Sequence, residues 1–209
     1  RPLERLILNR KVDGMILTST YENDCFVPLL KEKKIPFVTI GAVPDGDVIQ
    51  VDNDNAGACM ELTGILLAKK ISRIAYLGSN MEQMVNKSRY QGFCAAYRQY
   101  GREPDGDILY TDLDSKVMIE KAVDRLLREG VDCLLCQDDF ICNEAVRLLA
   151  DRGVRIPEDV KVASCHYSRI MENYPVMVTS LKFDTGALAG TACRLLFALL
   201  DGKEVPVKT

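Results

Sequence analysis

Short runs of consecutive apolar residues alternate along this chain with longer stretches in which apolar positions recur every three or four residues. The first pattern suits strands covered on both faces, and the second suits helices packed along one side. Runs at 12–17 (VDGMIL), 36–41 (PFVTIG), 48–51, 73–78 (RIAYLG), 107–110, 133–136 (CLLC) and 160–165, with an extended stretch at 176–183, predict about eight strands.

Helical stripes fill the intervals. Leu3, Leu6 and Ile7 give an opening helix one apolar side, with Pro2 suited to its first turn. Asp24 is placed to cap a helix running to about Lys33, and VDNDNAG opens another to about Lys69. Phe93, Ala96, Tyr97 and Tyr100 share a face. Asp114 or Ser115 starts a helix carrying Ile119, Ala122, Val123, Leu126 and Leu127, which ends at Gly130. Ile141, Ala145, Leu148 and Leu149 mark the next helix; Leu188, Leu195, Leu196 and Leu199 mark a last one over 185–200, ended by Gly202. Strands alternating with helices require parallel sheets with right-handed crossovers, an α/β fold. Eight strands in so even an alternation fit two lobes better than one sheet.

Polar groups concentrate in one turn, Gln137, Asp138 and Asp139, between the run at 133–136 and the helix after it. Ligands of open parallel sheets bind at the carboxyl ends of strands, so this turn is a candidate site. Asp138 or Asp139 serves equally well as a helix cap.

Bulk properties narrow the function. The chain has 209 residues, 47% of them hydrophobic, enough for a sizeable core. No apolar run approaches the roughly 20 residues of a membrane span. A net charge of −3 gives no basic footprint for nucleic acid within this chain. Of the eight cysteines, Cys59, Cys94, Cys142 and Cys193 fall in helical patterns and Cys133, Cys136 and Cys165 in apolar runs. They read as core thiols of a reducing cytoplasm, not as disulfides or zinc ligands. No phosphate-cradling glycine loop is present, and Cys165 and His166 are neighbours facing opposite sides of a strand, so no enzyme, cofactor or metal is expected.

Taken in order, VDGMIL, IPFVTIG, VDNDNAG before a helix, RIAYLGS, Arg89 three residues before Gly92-Phe93, LLCQDD, IPEDVKVAS and VTSLKFD before the last helix resemble the effector-binding portion of the LacI/GalR family of bacterial transcription regulators. That family shares a two-lobed fold with type I periplasmic sugar-binding proteins. The resemblance implies an N-terminal lobe from 1–70 and 184–209, incomplete at its start, and a C-terminal lobe from 71–183. Chain crossings are expected near 70–73 and 181–184. It further implies a small-molecule effector in the interlobe cleft, a cytoplasmic homodimer, and operator DNA bound through a helix-turn-helix headpiece that this chain lacks. The rival is an exported sugar-binding protein of a transport system.

By the same resemblance the ligand-binding residues are Arg89, Gln137, Asp138, His166, Phe183 and Asn55, with Asp139 left as the helix cap. Two departures stand out. Gln137 precedes Asp138 where the family usually has Asn before Asp, and Ser164-Cys165-His166 stands where Gly-aromatic-Asp is common. A carboxylate only accepts hydrogen bonds, whereas neutral imidazole donates one and accepts one, so the ligand polarity demanded at His166 differs.

Overall fold

The computed structural model describes every residue except Arg1 and Arg10. Its contacts divide the chain into two compact units, residues 1–53 with 82–85 and 184–209, and residues 54–81 with 86–183.

The first unit holds α1 (Pro2–Leu8), β1 (Met15–Leu17), α2 (Phe26–Glu32), β2 (Phe37–Ile40), β3 (Gln50–Val51) and, from the far end of the chain, α7 (Thr185–Leu200). Its strands form a parallel sheet in the order β1-β2-β3, with Met15 opposite Phe37 and Thr39 opposite Gln50. Strand alternation divides the faces. Met15 and Leu17 pack with Ile7, Val27 and Leu30 of the two short helices, while Ile16, Val38 and Val51 pack with Ala192, Leu195 and Leu196 of α7. The start of α2 shows the capping chemistry displaced by one residue. Cys25 occupies the cap position but its side chain does not cap the helix, and Asp24 Oδ1 accepts from the N–H groups of Phe26 and Val27 at 2.7 and 3.1 Å. Strand β1 is an edge of its sheet, and a cavity of about 670 Å³ lies beside it, lined by Leu3, Met15, Leu17, Ser19 and Tyr21 among others.

The second unit holds α3 (Asn55–Ala68), β4 (Ile74–Leu77), most of α4 (Met84–Gln99), β5 (Leu109–Tyr110), α5 (Lys116–Arg128), β6 (Cys133–Cys136), α6 (Asp139–Asp151), β7 (Lys161–Ser164) and β8 (Thr179–Ser180). The five strands are parallel in the order β5-β4-β6-β7-β8, with Leu77 opposite Cys136 and Cys136 opposite Ser164. β6 lies at the centre, and all four of its residues are buried, as helices on both faces require. Ser115 caps α5 by accepting from Met118 N, and Gly130, at φ 74°, takes the left-handed conformation that ends it.

Three expectations change. Helix α3, grouped by the sequence reading with the first lobe, packs Cys59, Leu62, Leu66 and Leu67 into the core of the second unit. The extended stretch at 176–183 contributes only Thr179–Ser180 to a sheet, because β8 is an edge strand with β7 as its single neighbour. Cys193 is exposed, as is Cys25, so neither is a core thiol. Helix α7 is apolar nearly all round and buries only the side centred on Ala192, leaving Phe197 67% exposed. Among the described residues no helix is long and apolar enough to cross a membrane.

Candidate functional site

The residues singled out in the sequence gather at the carboxyl ends of β4, β6 and β7. β6 hands on to Gln137, whose N–H donates to Leu77 O at 2.8 Å and carries the sheet pattern one residue past the strand. Asp138 then turns the chain, with φ −142° and ψ 175°, and its Oδ1 accepts from Ile141 N at 2.8 Å. Asp138 is therefore the cap of α6. Asp139, expected to fill that role, lies inside the first helical turn, where its charge complements the helix dipole.

Gln137 is fully buried. Its Oε1 accepts from Ser79 N at 2.9 Å, and its Nε2 is buried with no hydrogen-bond partner among the described residues. Gly78 makes that arrangement possible: a Cβ there would come within 2.7 Å of Gln137 Oε1 and of Tyr76 Cε1. The Gln137 carbonyl accepts from Arg89 NH1 at 2.9 Å, and Arg89 Nε donates to Asn55 Oδ1 at 3.1 Å. Asn55 is the first residue of α3, behind the cap Asp54, whose side chain accepts from Gly57 N. Arg89, on α4, is only 8% exposed, and a cation that deeply placed needs such acceptors. Two of the five guanidinium N–H groups are thus committed, and the other three make no hydrogen bond among the described residues.

His166 follows β7 and is half-buried. Its backbone is fixed by Ser164, whose hydroxyl donates to His166 O at 2.8 Å. Burial, and then the Arg89 charge, push its pKa down from the usual value, so the imidazole is neutral at pH 7. Asp138 is shifted the other way. Burial raises its carboxyl above the ordinary range and repulsion from Asp139 adds to this, while the Ile141 N–H, Arg89 and His166 pull it back. Arg89, Asp138 and His166 therefore lie within electrostatic reach of one another. Phe183, the sixth expected residue, is partly exposed at the end of the second unit and makes no ring contact with this group among the described residues.

Ser79 and Tyr76 were not foreseen. Tyr76 is fully buried, its hydroxyl has no hydrogen-bond partner among the described residues, and burial drives its pKa well up. The signal available for them was the Gly that closes β4, since a ligand site approached by backbone favours a residue without Cβ. The assembled groups are a buried amide and a phenol, a guanidinium, a neutral imidazole and one uncommitted carboxylate oxygen. Groups of these kinds hydrogen-bond to hydroxyls and carbonyls. Among the described residues no three His, Cys, Asp or Glu side chains are grouped to hold a metal ion.

Residues 3–176 match the family of periplasmic binding proteins and the sugar-binding domain of LacI regulators. The transcriptional regulator CelR of Thermobifida fusca is 30% identical over 213 residues, covering 97% of this chain and 61% of that protein. RegA of Clostridium saccharobutylicum is 25% identical over 208 residues, covering 96% and 62%. A solved complex of CelR with cellobiose superposes with a TM-score of 0.89 at 28% identity, covering 99% of this chain and 65% of the other. CcpA of Lactococcus lactis shares the fold with a TM-score of 0.87 at 24% identity, covering 98% and 76%. The chain spans about three-fifths of the length of these curated relatives, which are transcriptional regulators and not enzymes. With its parallel α/β sheets and a match over most of its length, the chain belongs to the LacI family and carries that family's ligand-binding domain.

Proposed function

We propose that this chain is the effector-sensing, dimerising domain of a bacterial transcriptional regulator, and that a sugar or related metabolite binds where Arg89, Asn55, Gln137, Asp138 and His166 converge. The observation that carries the reading is the guanidinium of Arg89. It is anchored from behind by Asn55 Oδ1 and the Gln137 carbonyl, and three of its N–H groups are left over at the carboxyl end of a parallel sheet. Phe183 supplies an apolar wall in this proposal. A net charge of −3 leaves operator binding to a helix-turn-helix headpiece outside the chain, in keeping with relatives that are named helix-turn-helix regulators and are longer than the stretch matched here. The buried thiols suit a reducing cytoplasm, and the homodimer is the assembly the family resemblance implies.

Regulation follows if the ligand binds one arrangement of the domain better than another, because only differential affinity shifts an equilibrium. Calorimetry with neutral sugars, sugar phosphates, nucleobases and small carboxylates tests the site. Cellobiose is the natural first member, since a CelR complex holds it. We expect a ligand whose affinity falls at least about tenfold in Arg89→Ala, the loss of one charge-assisted bond. A ligand that binds the variant as well as the wild type refutes the placement.

A further inference from the structure

One turn beneath the Asn55 and Arg89 pair, Cys59 Sγ lies 3.3 Å from Cys165 Sγ, and both residues are fully buried. Asn55 and Cys59 are four apart on α3 and so share a face; Cys165 is the residue before His166. The sulfurs thus bridge two segments that each carry a group of the proposed site. The packing holds them there. A Cβ at Gly92 of α4 would meet Ala56 O at 2.2 Å and Cys59 Cβ at 3.1 Å, so α4 lies hard against this turn of α3.

The two thiols are not equivalent. The contact with Cys165 lowers the Cys59 pKa, helped by Thr63 and the Arg89 charge, whereas the same contact and burial raise that of Cys165. Of the two, Cys59 is the thiol eased toward ionisation, with the Arg89 charge nearby.

We propose that Cys59 and Cys165 form a redox pair that closes to a disulfide with a hydroperoxide as oxidant, tying the first turns of α3 to the end of β7. The Cys59 thiol gives up its proton, its sulfur attacks one peroxide oxygen, the O–O bond breaks, and the departing hydroxide takes up that proton to leave as water. Cys59 is left as a sulfenic acid. The Cys165 sulfur then attacks Cys59 Sγ, the S–S bond forms, and the sulfenic oxygen leaves with the Cys165 proton as a second water. Two thiols lose two electrons and one peroxide gains them. A small oxidant reaches the buried pair when the first turn of α3 opens locally. The cross-link itself needs no ligand; its effect on ligand affinity rests on the site proposed above.

The test is peptide mapping of the intact wild-type chain. The protein is treated with hydrogen peroxide, alkylated in denaturant and digested, with a parallel sample reduced by dithiothreitol. We expect a Cys59–Cys165 linked peptide pair lacking two hydrogens, with both residues protected from alkylation until reduction, while buried Cys94 and Cys133 alkylate fully. Full alkylation of Cys59 and Cys165 at a peroxide concentration that oxidises exposed Cys25 or Cys193 overturns the proposal, as does a link between Cys136 and Cys142 in its place. In Cys165→Ser, a dimedone probe should label Cys59 as trapped sulfenic acid; labelling of Cys165 instead, in Cys59→Ser only, overturns the assigned order of attack. If the cross-link forms and the affinity of a ligand found by calorimetry is unchanged, the pair stands and its coupling to the site falls.

Discussion

Gly92→Ala and Gly64→Ala make the same chemical change in two helices of one unit, and the structure assigns them opposite signs. In a helix interior Ala is favoured over Gly by about 1 kcal/mol. Gly64, on α3, has nothing within 4 Å of an added Cβ, so that gain is realised and the unfolding temperature should rise by about 2–4 °C, the shift expected per kcal/mol at this chain length. Gly92, on α4, faces the Ala56 carbonyl oxygen at 2.2 Å from an added Cβ. The obstacle is backbone, with no flexible side chain to swing aside. Overpacking typically costs about 1–3 kcal/mol, and so short a contact belongs at the upper end, leaving roughly 2 kcal/mol of net loss after the helix gain. The unfolding temperature should then drop by about 4–8 °C. Thermal melts followed by circular dichroism, with urea titrations to confirm that the slope is unchanged, read both variants in one experiment. A Gly92→Ala protein as stable as Gly64→Ala would refute the close α3–α4 packing, and with it the physical support for the position of Asn55 beside Arg89.

Two further outcomes bear on the site. Asp138→Ala should cost about 0.5–2 kcal/mol through the lost α6 cap, whereas Asp138→Ser keeps the cap; if the two melt alike in urea, the Ile141 bond contributes nothing. For His166 the folded pKa lies below the unfolded one of about 6.5, so protonation favours unfolding and wild-type stability should fall as pH drops from about 6.5 through the folded pKa. His166→Gln should remove that component between pH 5 and 7, and parallel stability curves would show that the imidazole is not buried as described.

Much of the fold was legible because burial dictates pattern. The run CLLC suits a strand covered on both sides, and it is the centre of the five-stranded sheet. Helix α7 begins behind Asp184, which accepts from Ala187 N, and closes at Gly202 with φ 72°, local signals that need no tertiary knowledge. Where neighbours decide, the local pattern carries no signal. Cys193 lies on a helix whose sequence is apolar almost all round, so periodicity could not say which side is covered. Nor could two adjacent carboxylates be told apart as caps, because the choice between Asp138 and Asp139 rests on the backbone angles of a single residue. The Asn55 and Arg89 bond spans 34 residues, and no local pattern encodes it; only the family resemblance placed both residues at one site.

Arg89 takes one of its two anchors from a main-chain carbonyl, that of Gln137. Whatever side chain occupies position 137, the carbonyl stays where β6 leaves it, and the guanidinium keeps that anchor. The side chain at 137 is thus free to vary while Arg89 keeps this anchor. In the site proposed above, selectivity is then retuned at position 137 without dismantling the Arg89 anchor.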